Sequence, residues 1–190
     1  MRKSETQMKI TLRAVTRENL DEVADLRLLE HQQAYLASNS YSIAEASFNP
    51  ALRPRSIYAD ERLVGFLMYL VPEECEDPPG EYGIWRFMVD ASVQGRGYGR
   101  QAFALLMAEI RSDANARRIF ISYKPENLKA RDFYASFGFE ETGIEAETGE
   151  MVAVVAAAQC SLAKLDSTCP AQRSSEPLPA AAELQPCMEK

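Results

Sequence analysis

Residues 94 to 99 read Gln-Gly-Arg-Gly-Tyr-Gly and stand between a strand-like run, Trp85-Arg86-Phe87-Met88-Val89, and an amphipathic stretch, Arg100 to Arg111. In that stretch Phe103, Leu106, Met107 and Ile110 fall three or four apart, which makes one helical face apolar. A chain with this order folds as strand, tight turn and helix, and those three elements together make an anion site. The free amides of the turn converge on a phosphate, and the positive end of the helix dipole faces it. Gly95, Gly97 and Gly99 remove side chains that would hold a phosphate away, and they permit positive φ where the turn needs it. The feature predicts a phosphorylated cofactor. It is not the nucleotide-triphosphate form, because no Gly-Lys-Ser/Thr follows. Nor is it the dinucleotide form, which needs a third glycine at another offset and a βαβ start before it.

Charge and composition narrow the class further. The formal net charge of −7 argues against a nucleic-acid partner, which requires a basic face, and suits a cationic substrate. An anionic cofactor is then answered locally, by backbone amides with Arg96 and Arg100. At 190 residues, 46% apolar and 26% charged, the chain reads as one soluble globular domain. No apolar run approaches the ~20 residues of a membrane span, and no signal-peptide pattern is visible. Cys75, Cys160, Cys169 and Cys187 have neither metal nor redox spacing and read as free thiols of a cytoplasmic protein, with no metal expected. Residues 1–8 read as a flexible N-terminus and 9–158 as the domain. The tail 159–190 lacks apolar periodicity and reads as disordered.

The breaks predict the remaining elements. Ile10 to Val15 is a strand, and Thr16 reads as the cap of a helix carrying Leu20, Val23, Ala24 and Arg27. Ser42-Ile43-Ala44-Glu45 has capping-box spacing, which predicts a second helix starting there and stopping near Pro50. Ser56–Ala59 and Leu63–Val71 form a hairpin around Asp60-Glu61, and Tyr82–Val89 is the next strand. Arg118–Tyr123 is a strand, and Phe139–Thr142 with Met151–Ala157 closes the sheet as a hairpin over Gly149.

Between those last strands stands Asn127-Leu128-Lys129-Ala130-Arg131-Asp132-Phe133-Tyr134, then Phe137-Gly138-Phe139. Taken with Gln94-x-x-Gly97-x-Gly99, in this order and separation, the two blocks resemble the GNAT N-acetyltransferase family, with matches from about Ile10 to Val155. The resemblance implies an α/β (α+β) acyl-CoA N-acyltransferase fold, a mixed twisted sheet flanked by helices, and acetyl-CoA as cofactor. It implies that the amides from Gln94 through Gly95, Arg96, Gly97, Tyr98 and Gly99 to Arg100 hold the pyrophosphate. Met88 and Val89 on one strand would face the thioester, a Val89 amide polarising its carbonyl. Pantetheine would lie between that strand and Ile119–Tyr123, which splay apart. Asn127, Ala130 and Tyr134 would line the thioester end, although Asn127 also reads simply as a helix cap. Ala37–Ala46 and Leu63–Tyr69 resemble the bacterial spermine/spermidine (diamine) N-acetyltransferase branch, which implies a polyamine acceptor; a homodimer is compatible with it.

Acetylating an amine demands a neutral nitrogen, and at pH 7.4 only about one alkylammonium in a thousand is free base. Tyr134 is the candidate general acid for the departing thiolate. The bland alternative is a core tyrosine beside Phe133 and Phe137. The base is not fixed: His31, the single histidine, and Glu30 are candidates that read equally as helix-surface residues. Glu73, Glu74 and Glu76 belong to an acidic run before Glu81, readable as a lip that attracts a polyamine or as a solvated loop. Tyr35, Tyr82 and Trp85 are candidates to stack on a methylene chain or ammonium, or to pack in the core. Two rival functions stay open: acetylation of an antibiotic or protein amine, and a non-catalytic acyl-CoA sensor.

Overall fold

Seven strands form one sheet in the order β1-β2-β3-β4-β5-β7-β6 in the computed structural model, which describes residues 8–72 and 79–157. The expectations for residues 1–7, for Glu73, Glu74 and Glu76, for the four cysteines and for the tail 159–190 lie outside the described residues. The strands are β1 (Ile10–Ala14), β2 (Leu52–Ala59), β3 (Arg62–Leu70), β4 (Glu81–Val89), β5 (Arg118–Tyr123), β6 (Glu140–Ile144) and β7 (Met151–Ala156). Every pairing is antiparallel except β4 with β5, which α3 (Tyr98–Arg111) connects. A parallel pair needs such a crossover, and the glycine turn sits where this one begins. The sequence gives no local sign that β7 inserts between β5 and β6, because that choice depends on partners distant in the chain.

Alternation along the strands divides two apolar layers. Phe66, Met68 and Met88 pack with Val23 and Leu52 beneath α1 (Leu20–Asp25) and α2 (Asn39–Phe48). Ile57, Leu67, Tyr69 and Ile84 point the other way, toward Phe103, Leu106, Met107 and Ile110 of α3 and Tyr134 of α4 (Leu128–Ala135). The apolar stripe read on α3 is therefore its buried face. Phe103 is the hub of the second layer, with the rings of Phe87, Phe133, Tyr134, Phe137 and Phe139 around it at 4.7–6.0 Å.

Three boundaries differ from expectation. Helix α2 starts three residues before Ser42: Ser38 is its cap, accepting from the Tyr41 amide at 3.2 Å. Ser42 is fully buried in the first turn and donates to the Ser38 carbonyl. Helix α1 begins at Leu20 and ends at Asp25, short of Arg27, because the Asn19 carboxamide, not Thr16, organises the turn by accepting from the Thr16 amide. Strand β2 begins at Leu52 and includes Pro54, which pairs with Met68 of β3. Pairing with β1 starts only at Arg55, so the side of Pro54 that lacks an N–H faces no ladder.

Candidate active site

Strand β4 carries one extra residue against β3. Met68 pairs with Arg86 and Tyr69 with Ile84, which leaves Trp85 as a bulge. A bulge bends its strand and interrupts pairing. The parallel pairing with β5 stops at the same place, Ile84 with Ile121, so Trp85–Val89 has no β5 partner. The orientation of the free groups follows from the antiparallel alternation. The Asp90 amide bonds the Val64 carbonyl at 2.8 Å, which turns the amide of the preceding Val89 away from β3 and toward the gap. This amide and the gap are what an extended pantetheine and a thioester carbonyl require.

At the end of β4 the chain turns through Gln94–Gly97 into α3. Gly95 and Gly97 both have φ of +80°, and a Cβ built on either meets nothing within 4 Å. The space beside both residues is open, and their φ is one that glycine adopts without strain. Gly99 serves differently: a Cβ there would sit 3.3 Å from Val89, so this glycine lets the helix pack close to β4. Gly97 caps α3 with no side-chain acceptor, which leaves the first helical amides as free donors with the dipole behind them. Gln94 does not point its carboxamide at this open space. Its Nε2 donates to the Val89 carbonyl at 3.0 Å and to Gln32 Oε1 at 2.8 Å, and Gln32 donates back at 3.3 Å. The pair ties the turn to the 3-10 segment Glu30–Tyr35.

Helix α4 presents the third wall. Asn127 caps it, its Oδ1 accepting from the Ala130 amide at 3.1 Å, and its carboxamide N–H donors have no partner among the described residues. Tyr134 is 8% exposed and sits among Phe103, Phe133, Phe139 and Tyr123. Burial among these rings, then the neighbouring Tyr123, holds its phenol above the ordinary value. Its ring packs in the core, and the side chain also lines the cavity. Tyr123 is likewise raised, to about 12, by burial and by its 2.8 Å bond to Glu141.

These walls enclose one cavity of about 610 Å³. It is lined by Met88, Val89, Gln94, Gly95, Gly97, Tyr98, Gly99, Arg100, Asn127, Ala130 and Tyr134, together with Tyr35 and Trp85. Tyr98 contributes backbone, since its side chain is buried and reaches Met8. Arg100 is pinned by Ser136 at 2.8 Å and lies over Phe137. Trp85 remains 39% exposed, its Nε1 donating to Glu45 of α2.

Four of the candidate residues do not line the cavity. Arg96, between two positive-φ glycines, is exposed and does not line the cavity. Glu30 and His31 are also exposed and outside it. In a 3-10 segment residues three apart share a face, and Gln32 with Tyr35 takes the cavity side, which leaves His31 outward. Tyr82 packs in the core and donates to Asp113 at 2.6 Å. Residues flanking the acidic run, Val71 and Gly80, stand at the Glu81 end of β4; nine residues at ~3.4 Å each put Val89 some ~27 Å away. The sequence reading missed Gln32, Arg86, Lys124, Lys129 and Glu150, all cavity-lining. Of these, Arg86, inside the Trp85–Val89 run, and Lys129, inside the Asn127–Tyr134 block, stood within a readable signal.

Comparison with known proteins agrees with this geometry. The model of the Acetyltransferase (GNAT) family matches residues 20–139. The spermine/spermidine N(1)-acetyltransferase of Bacillus subtilis (strain 168) is 32% identical over 149 residues, 77% of this chain and 98% of that protein. Among solved structures, the aminoglycoside acetyltransferase AAC(6')-Ib in complex with coenzyme A superposes with a TM-score of 0.65 at 22% identity, covering 78% of this chain and 95% of the other. The spermidine N-acetyltransferase from Vibrio cholerae in complex with CoA and spermine gives 0.63 at 19% identity, with the same coverages of 78% and 95%. The uncapped glycine turn, the β4–β5 gap and Tyr134 are the candidate parts of a cofactor site, and the chain belongs to the GNAT family as an acetyl-CoA-dependent N-acetyltransferase.

Proposed function

We propose that the protein moves the acetyl group of acetyl-CoA to a primary amine of a polyamine such as spermidine or spermine, directly, within a ternary complex. The observation that carries this reading is the continuous cavity. It runs from the uncapped start of α3, past the free Val89 amide, to Tyr134 and on to Trp85 and Tyr35. The polyamine choice draws on the 32% identical relative, which is matched over nearly its whole length. Bound acetyl-CoA supplies an activated acyl group.

Each remaining task falls to this chain. The amides of Gly95 and of Gly97 to Arg100 hold the phosphates, and the Val89 amide donates to the carbonyl oxygen as negative charge grows there. The Tyr134 hydroxyl donates to the leaving sulfur. Its raised pKa keeps it protonated well past neutrality. A thiol of ordinary pKa near ~8.5 is the stronger acid, so the proton Tyr134 releases is replaced by one from the attacking nitrogen. Trp85 and Tyr35 offer apolar faces to a methylene chain.

The test is thiol release from acetyl-CoA against spermidine, spermine, a short diamine, an aminoglycoside and a peptide with a free N-terminus. The expected kcat/KM for polyamines exceeds the others by about tenfold or more, a ~1.4 kcal/mol preference. The rate climbs from neutral to alkaline pH as free amine accumulates. A higher kcat/KM for the aminoglycoside or the peptide would transfer the substrate to that class. Acetyl-CoA binding without turnover of any amine would leave a sensor.

A further inference from the structure

The charges on the cavity wall are unequal. Among the described lining residues Arg86, Arg100, Lys124 and Lys129 are cations, and Glu150 is the one carboxylate. Two of these cations are already committed: Arg86 to Glu45 at 3.3 Å, and Arg100 to Ser136 with its guanidinium over Phe137. Glu150 is held at its place by the β6–β7 turn. The Glu145 amide donates to the Glu150 carbonyl at 2.8 Å, the Gly149 amide donates to the Glu145 carbonyl, and Gly149 takes φ of +68° to close the turn. Glu150 immediately precedes β7, one step beyond the Tyr123–Met151 pair. Its side chain meets Lys124 Nζ at 3.4 Å, with the two side chains 28% and 36% exposed.

A diamine in reactive form still carries charge. The attacking nitrogen is neutral, but a second amine with pKa near ~10.4 remains an ammonium at neutral pH. That ammonium needs an anion in a cavity otherwise rich in cations, and an unpaired charge there loses hydration without return. Resting on the polyamine reading, we infer that Glu150 is the counter-ion for the second ammonium of the acceptor. Lys124 is then an internal competitor for the same carboxylate, displaced when the acceptor binds. The Lys124–Glu150 pair is solvent-exposed and therefore weak, so it gives way readily to an ammonium that the bound acceptor shields from water. Glu150 thereby selects dications over monoamines, while the acetyl-CoA wall is built from other residues.

The two members of the pair give a test with opposite signs. Steady-state kinetics are measured for wild type, Glu150→Gln and Lys124→Ala with spermidine, with n-butylamine and with acetyl-CoA varied. Glu150→Gln is expected to raise the spermidine KM about tenfold and to cut the preference for spermidine over n-butylamine by a similar factor, with KM for acetyl-CoA within about twofold. Lys124→Ala, which frees the carboxylate, is expected to lower the spermidine KM. An unchanged spermidine KM in Glu150→Gln overturns the inference and leaves the polyamine reading standing. So does a shift of both variants in the same direction, the behaviour of a merely structural pair. A wild type that acetylates no polyamine overturns both.

Discussion

Tyr134→Phe lowers the turnover number by about 10²-fold or more, the range lost with a general acid, while acetyl-CoA affinity stays within a few fold. The substitution removes one oxygen and keeps a ring whose neighbours lie at 5.3–5.9 Å, so the aromatic packing survives. Little stability is lost either. The Tyr134 hydroxyl makes no hydrogen bond among the described residues, so its removal leaves no partner unsatisfied. The pH dependence sharpens the test. Desolvation raises the Tyr134 pKa, so the protonated, competent form persists at low pH and is lost only as pH rises through that elevated value. Its alkaline limb therefore lies above the ordinary phenol value of about 10 and is missing in the variant. Stopped-flow or quenched single turnovers isolate the chemical step. Normal turnover there, under rate-limiting chemistry, would make Tyr134 a packing residue.

Gly97→Val abolishes measurable CoA binding without unfolding the protein. Gly97 has φ of +80°, which a β-branched residue adopts only with strain. The new side chain enters the space that is open above the turn, where a Cβ meets nothing within 4 Å. It therefore clashes with a ligand and with no part of the protein. The strain, of order 1–3 kcal/mol, is a fraction of a domain's stability, so a folded but non-binding protein is the outcome. Calorimetric titration with CoA, beside a thermal melt, reads both quantities. Wild-type affinity in a folded Gly97→Val protein would remove the phosphates from this turn.

The parts of the site that were legible are those whose chemistry is local in the chain. Glycines at 95 and 97 must have positive φ and open space to be useful, and both show them. The α3 stripe and the apolar strands follow from periodicity, because each buries one face. The rest of the cavity wall was illegible for the opposite reason. Glu150 and Lys124 become neighbours only through the β5–β7 pairing, and Gln32 meets Gln94 only through folding of the 3-10 segment onto the turn. His31 attracted notice by its titration range alone, and geometry puts Gln32 and Tyr35 of that segment on the cavity instead. The α2 start was misplaced because Ser38, Ser40 and Ser42 are all cap-forming residues at plausible spacing, and only tertiary burial of Ser42 selects Ser38. The Trp85 bulge, which coincides with the end of β4–β5 pairing, leaves no mark in the strand pattern.

The central claim is that one cavity holds the phosphates at the α3 turn and the thiol beside Tyr134. A crystal structure with CoA bound tests it most directly. Pyrophosphate oxygens are expected about 2.7–3.2 Å from the amides at Gly95 and from Gly97 to Arg100, with pantetheine in the β4–β5 gap. The sulfur is expected within hydrogen-bonding reach of the Tyr134 hydroxyl. CoA seated away from the turn, or a sulfur remote from Tyr134 with the gap unused, would contradict it.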